Sequence, residues 1–156
     1  MRHIAKKEQL EISDEALDAI SYVAAGDLRR AINTLQSAAS IQTAIDQETI
    51  YQITATPDPQ AIQDLLYASI GGKLKLALSL LDALLLEQGF SGSEIVVQIN
   101  KALLGLDISD QSKVQLINSV GEIDFRLSEG ADERIQLEAL IAEFVLLSQK
   151  NQLCSI

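Results

Sequence analysis

Hydrophobic side chains recur every three to four residues through most of the chain, and this spacing is typical of amphipathic helices. Three of the helices predicted in the first third of the chain begin directly after a polar residue suited to an N-cap. They cover residues 14–25 behind Ser13, 28–40 behind Asp27 and 47–53 behind Asp46, and they follow a shorter helical stretch over residues 1–8. Residues 1–54 are therefore predicted to form a small helical bundle.

The same periodicity continues in the rest of the chain with longer helices. These predicted helices cover residues 59–70, 73–88, 94–104, 111–128 and 132–150. Ser91 and Glu94 match a capping box ahead of the third of them, and Ser109 or Asp110 suits the N-cap of the fourth. The predicted fold class is therefore all-α.

The segment Thr54–Pro59 interrupts the helical pattern more strongly than any other. It contains both prolines of the chain, and the residue before a proline disfavours helical backbone. We therefore predict two domains, a small helical bundle over residues 1–55 and a larger helical bundle over residues 56–156.

Each predicted helix has an apolar stripe that we expect to face a core. Three of these stripes are Leu28, Ala31, Ile32, Leu35 and Ala38; Val114, Ile117, Val120, Ile123 and Leu127; and Ile135, Leu137, Leu140, Ile141, Phe144 and Leu147. The helix over 73–88 differs, because leucines occupy nearly every face and it should be buried on most sides. It is either a subunit interface or the central core helix of its own bundle.

Composition narrows the class of protein. The formal net charge is −10, so the chain has no basic footprint for nucleic acid. The single cysteine, Cys154, excludes an intrachain disulfide and a cysteine-based metal site, and it fits a reducing, cytoplasmic location. No apolar run approaches the roughly 20 residues of a membrane span, so no membrane partner is expected.

Arg29 and Arg30 stand out because both lie in the first turn of a predicted helix. The helix dipole is positive there, and each cation should cost about 0.3–1 kcal/mol. Two arginines at this end suggest that an anion such as a phosphate binds nearby. The alternative is that both guanidinium groups pair with Asp27 or a nearby glutamate on a solvated surface.

Two stretches resemble a known family. The residues Gly26–Asn33, Gly-Asp-Leu-Arg-Arg-Ala-Ile-Asn, resemble the second sensor motif of the clamp-loader branch of AAA+ ATPases. The stretch Glu122–Ile141 is similar to the end of that family's collar domain. The chain as a whole is similar to the C-terminal part of replication factor C small subunits, most of all the archaeal ones. The resemblance implies a lid followed by a collar, and a start at Met1 that cuts into a longer protein.

The resemblance also assigns roles to the arginines. Arg29 matches the sensor arginine that reaches the γ-phosphate of ATP on the ATPase domain of the same subunit, and Arg30 would make an auxiliary or structural ion pair. The chain contains no Gly-x-x-x-x-Gly-Lys-Ser/Thr loop, so it is not expected to be an enzyme on its own. We expect no catalytic residue, metal site or cofactor in it, whereas the full-length subunit would use ATP and magnesium.

The family further implies partners. A homo-oligomeric ring would form through residues 56–156, and the clamp-loader large subunit, the sliding clamp and primed DNA would be partners of the assembly, the last two through other domains. The residues expected at the oligomer interface are Leu76, Leu80, Leu84, Phe125, Arg126, Leu140 and Phe144. The alternative is a stand-alone helical interaction or oligomerisation module without any nucleotide role.

Overall fold

The computed structural model describes residues 3, 5, 8 and 10–153, with backbone alone for 148–153. Cys154 lies outside the described residues, as does most of the stretch over 1–8 that we predicted to be helical. The chain divides into two compact units, Met1–Asp58 and Pro59–Ile156. The division falls between Asp58 and Pro59, whereas the sequence placed it after residue 55.

The first unit is a small helical bundle with one pair of very short strands. Its elements are β1 (Glu11–Ile12), α1 (Asp14–Ala24), α2 (Leu28–Ile41), β2 (Ala44–Ile45) and α3 (Gln47–Ile53). The strands pair in parallel, with Glu11 opposite Ala44 and Ile12 opposite Ile45. We did not predict them, because two residues are too few to show an alternating pattern.

The second unit is a larger bundle of long helices. Its elements are α4 (Pro59–Ile70), α5 (Leu74–Asp82) with a π-helical continuation over Ala83–Glu87, α6 (Gly92–Leu103), α7 (Asp110–Ser128) and α8 (Glu133–Leu153). Since both strands are only two residues long, the predicted all-α fold class is confirmed.

The second unit is arranged around α6 and α8. Helix α7 packs on both of them, α4 packs on the same two helices, and α5 packs on α4 and α8. Helix α7 and the α4–α5 pair therefore lie on different sides of the bundle.

The predicted caps are present as hydrogen bonds. Ser13, Asp27, Asp46 and Ser109 each accept a backbone N–H from the first turn of the helix that follows. Ser91 and Glu94 form the predicted capping box at the start of α6. These caps satisfy donors that the helix leaves unpaired, which explains why the helices begin where the sequence indicated.

Each unit has its own core. In the first unit, side chains of α1, α2 and α3 meet around Ile20, Leu35 and Ile50. In the second, all five helices contribute buried side chains, and Phe144 is among the largest of them. Apart from Val145, the described buried apolar side chains form these two clusters separately.

Parts of the predicted stripes are wrong. On α7, Val114 and Ile117 are 60% and 40% exposed, while Leu116 is buried. Leu28 at the start of α2 and Ile135 at the start of α8 are exposed as well. The first turn of a helix often projects beyond its neighbours, and α7 has apolar residues on two sides, so spacing alone did not identify the buried side.

The helix predicted over 73–88 is not uniform. After Asp82 the backbone widens into a π-helical turn, in which the Gln88 N–H donates to the Ala83 carbonyl at 3.0 Å. Leu81 and Leu84 are buried, whereas Leu76 and Leu86 are exposed. The helix is therefore partly core and partly surface, and neither of the two sequence-based alternatives describes all of it.

Three of the expected interface residues are core residues instead. Leu84, Leu140 and Phe144 are at most 1% exposed within the single chain. Their side chains contact the chain's own core, so they offer no surface to another copy. This part of the interface prediction is wrong, because the sequence pattern cannot distinguish an apolar side chain that packs internally from one that packs on a neighbour.

Candidate anion site and assembly surfaces

The start of α2 is shaped by a tight connection from α1. Ala25 and Gly26 both have left-handed backbone, with φ values of 49° and 89°. The Ala25 N–H donates to the Ser21 carbonyl and the Asp27 N–H donates to the Ala24 carbonyl. This connection places Arg29 and Arg30 at the first turn of α2, where the sequence predicted them.

Asp27 already occupies the helix N-terminus as an anion. Its Oδ1 accepts the backbone N–H of Arg29 at 2.9 Å and that of Arg30 at 3.1 Å. These two N–H groups are therefore not available to a phosphate. An anion bound here would instead be held by the guanidinium side chains.

The side chains of Arg29 and Arg30 are exposed. No carboxylate in the described part of the chain lies within 4.0 Å of either guanidinium. The alternative of surface ion pairs with Asp27 or a nearby glutamate therefore finds no support in the described residues. Two unneutralised cations in a first turn oppose the helix dipole, which is the situation an incoming anion would relieve.

An open cavity of about 280 Å³ lies beside these arginines. It is lined by Asp27, Arg29, Arg30, Asn33, Thr34, Ser37, Ile53 and Thr54. Positions 29, 33 and 37 follow one another at four-residue spacing, so they share a face of α2. We did not single out Asn33, Thr34 or Ser37, although this spacing could have identified two of them.

The lining consists mostly of side chains that can donate hydrogen bonds. Guanidinium, amide and hydroxyl groups are donors for phosphate oxygens. Asp27 is the sole carboxylate in the lining and is engaged as the cap. In the described residues no group of His, Cys, Asp or Glu side chains could hold a metal ion.

The other expected interface residues lie at the surface of the second unit. Leu76 is 48% exposed on α5 and Leu80 is half-buried beside it. Phe125 is 65% exposed on α7, and Arg126 pairs with Glu122 on the same helix at 3.0 Å. The structure thus brings these residues together on two surfaces, one formed by α4 and α5 and one by α7.

No described helix is both long enough and apolar enough to cross a membrane.

Both units match models of known protein families. The family model for the replication factor C C-terminal domain matches residues 57–143. A second model, the RCF1/5-like, AAA+ ATPase lid domain, matches residues 1–40. The two matches follow the two units in order.

Curated relatives carry the same family name. The chain is 46% identical over 147 residues to the replication factor C small subunit of Archaeoglobus fulgidus, which covers 94% of this chain and 46% of the relative. It is 49% identical over 151 residues to the replication factor C small subunit of Methanoculleus marisnigri, and the match covers 97% of this chain and 47% of the relative. It is 41% identical over 151 residues to the replication factor C small subunit of Pyrococcus horikoshii, and the match covers 97% of this chain and 18% of the relative.

The chain thus spans about half or less of the length of these relatives. A family model that covers most of the second unit agrees with the resemblance seen in two stretches of the sequence. The chain therefore belongs to the replication factor C C-terminal domain family.

Proposed function

We propose that this chain is the lid and collar of a clamp-loader small subunit, as opposed to an interaction module without a nucleotide role. Its second unit assembles subunits into a ring in the cytoplasm, together with a large subunit. The ring acts on a sliding clamp and primed DNA through other domains. Arg29 reports the γ-phosphate of ATP, bound with magnesium on an ATPase domain of the same subunit.

The observation that carries the proposal is the pair of exposed guanidinium groups beside the 280 Å³ cavity. Asp27 holds the helix start rigid through two backbone hydrogen bonds and leaves both guanidinium groups without a carboxylate partner in the described residues. The γ-phosphate of ATP carries negative charge, so its arrival or loss changes the electrostatic attraction and hydrogen bonding to the Arg29 guanidinium. A change in that interaction is a local event that can move the whole small bundle.

The sensor role is tested in a chimera. The matching C-terminal part of the Archaeoglobus fulgidus small subunit, 46% identical, is replaced by this chain. We expect Arg29→Ala to lower ATP turnover at least about tenfold, since a positioned charge on the transferred phosphate is lost. Arg29→Lys should recover part of the rate, because it keeps the charge but loses the planar fork.

Arg30→Ala is the matched control, since Arg30 is the next residue, lines the same cavity and is also exposed. We expect a smaller loss of turnover for it than for Arg29→Ala. Unchanged turnover and unchanged clamp loading in Arg29→Ala would remove Arg29 from the sensor role and favour the interaction module without a nucleotide role.

Ring assembly is tested on the chain itself. Size-exclusion chromatography with light scattering should give a mass of several chains at tens of micromolar, because the second unit exposes apolar side chains on two surfaces. A mass of one chain at that concentration would count against the collar role while leaving the sensor test untouched.

A further inference from the structure

Helix α7 presents an apolar face to solvent in addition to its buried one. Val114, Ile117 and Phe125 are all exposed, and they lie at three- and four-residue spacings around Gly121. A Cβ at Gly121 would meet nothing within 4 Å, so this position is an open notch in the middle of the face. We call these four residues the α7 face.

A second apolar surface lies between α4 and α5. An open cavity of about 410 Å³ is lined there by Tyr67, Ala68, Leu76 and Leu80, with Asp64 and Lys73 at its edge. Tyr67 is 60% exposed and Leu76 is 48% exposed, so the apolar lining is open to solvent. We call this surface the α4–α5 groove. Its volume is sufficient for an aromatic side chain to enter.

Two lysines beside the groove have no acidic partner among the described side chains, although the carboxylate of Asp64, which accepts a hydrogen bond from Gln60, also lines the groove. Lys73 and Lys75 stand at the start of α5, which has no side-chain cap. In the part of the chain that the structure describes, neither ammonium group makes an ion pair or a hydrogen bond. Two cations at a helix start oppose its dipole, and in a chain of net charge −10 they are unusual groups to leave without acids.

The charges around the α7 face are of the opposite sign. Asp124 directly precedes Phe125 and Glu129 follows it four residues later, and neither carboxylate is in an ion pair among the described side chains. Glu122 is different, since it is held by Arg126. The groove and the α7 face therefore match in apolar character and are complementary in charge.

We propose that the α7 face of one copy packs into the α4–α5 groove of a second copy of this chain. Phe125 enters the cavity beside Tyr67 and Leu76, while Asp124 and Glu129 meet the lysines at the start of α5. This inference rests on the proposed ring assembly and specifies its geometry. Because the two surfaces are different and lie on different sides of the bundle, the contact is head-to-tail and repeats from copy to copy.

The geometry is tested with one variant for each surface. Phe125→Asp disables the α7 face and Leu76→Asp disables the groove, and analytical ultracentrifugation measures self-association. Each variant alone should associate at least about thirtyfold more weakly than the unchanged chain, as expected when an anchor is lost from an interface centre. An equimolar mixture should form dimers and nothing larger, because each variant keeps the surface that the other lacks.

A charge exchange tests the same contact independently. The double variants Lys73→Glu/Lys75→Glu and Asp124→Lys/Glu129→Lys should each associate weakly, since like charges then face each other. Mixing the two should restore assembly beyond dimers, because every junction regains opposite charges. Mixed association that remains as weak as that of the separate double variants would overturn the charge pairing and with it the proposed docking.

Ile41→Asp is the matched control. Ile41 is exposed to 65%, as Phe125 is, but it belongs to the first unit and is part of neither surface. It should leave association unchanged, and circular dichroism checks that every variant is folded.

If the unchanged chain assembles while the two single variants stay monomeric on mixing, the docking is wrong and the ring proposal stands. If the unchanged chain is monomeric at tens of micromolar, both are overturned.

Discussion

Ala25 and Gly26, the two residues that join α1 to α2, share an unusual left-handed backbone. Only glycine adopts this conformation without a steric penalty, and Ala25 is exposed, so its methyl group gains little from packing. Replacing Ala25 by glycine should therefore stabilise the chain, whereas replacing Gly26 by alanine should destabilise it.

We expect Ala25→Gly to raise the free energy of unfolding by up to about 1 kcal/mol and Gly26→Ala to lower it by about 1 kcal/mol. A Cβ at position 26 would meet no atom within 4 Å, so strain in the backbone is the whole effect. Urea denaturation followed by circular dichroism measures both variants. Shifts of the same sign would contradict this explanation.

Asp46 makes stability depend on acidity. Its Oδ1 accepts the hydroxyl of Thr49 at 2.6 Å and the backbone N–H of Thr49 at 2.9 Å, and these hydrogen bonds lower the pKa of the carboxyl below its ordinary value. A lowered pKa in the folded chain means that the stabilisation is present above the unfolded pKa, about 3.9. It is lost as the pH falls through the folded value.

We therefore expect the stability difference between the unchanged chain and Asp46→Asn to be largest above about pH 4 and to shrink as the pH falls further. Asparagine is also a good N-cap, so the comparison isolates the charge. Urea denaturation midpoints of the unchanged chain and of Asp46→Asn at pH 6 and pH 3 measure this stability difference. A constant difference for Asp46→Asn would be inconsistent with this dependence.

Residues whose role depends on the nearest few positions were predictable. Ser13, Asp27 and Asp46 were identified as caps from the sequence, and each makes its cap hydrogen bond. Arg29 and Arg30 were also placed correctly at a helix start. The cavity beside them was not predictable, because Ile53 and Thr54 reach it from α3, and that contact depends on packing in space.

At the scale of the elements, helix positions were easier to predict than their orientations. The bounds of α4 and α7 lie close to the predicted ones, but the buried side of α7 was placed wrongly. Both sides of α7 have apolar residues at helical spacing, so the periodicity fits two orientations. The π-helical turn after α5 was also missed, because it changes the hydrogen-bond pattern without altering the run of leucines.

Phe144 and Phe125 allow a direct comparison of a core position with a surface position. Phe144 on α8 is 1% exposed and Phe125 on α7 is 65% exposed. We expect Phe144→Ala to lower the free energy of unfolding by about 3–5 kcal/mol, through lost burial and a cavity. Phe125→Ala should change it by less than about 0.5 kcal/mol in dilute solution, where single chains dominate.

Denaturation at sub-micromolar concentration measures both phenylalanine variants. A large loss for Phe125→Ala under those conditions would mean that its ring is not simply exposed. A small loss for Phe144→Ala would return that residue to the interface role that the sequence suggested.

At the scale of the whole molecule, the two units differ in size but share one principle. Each encloses its own apolar cluster, and the segment with both prolines leads from one to the other. That segment was recognisable from its prolines, which disfavour helical backbone in the residues before them. The separate cores were not, since apolar periodicity gives no information on which helices share a core.

Because the described core of the second unit draws on residues within 61–147, we expect a fragment over 59–156 to fold by itself. Its thermal transition should be cooperative and should match a transition of the whole chain, since no buried side chain of its core is removed. Scanning calorimetry of fragment and chain measures both. A fragment without a cooperative transition would mean that the second unit depends on the first.

The proline-containing segment also has an evolutionary consequence. A genetic crossover there would exchange one bundle for that of a relative while cutting through neither interior, so both parts of the hybrid would keep the side chains they need to fold. Lineages could therefore exchange one unit without the other at this point. Crossovers inside α2 or α8 would instead mix mismatched cores and should be removed by selection.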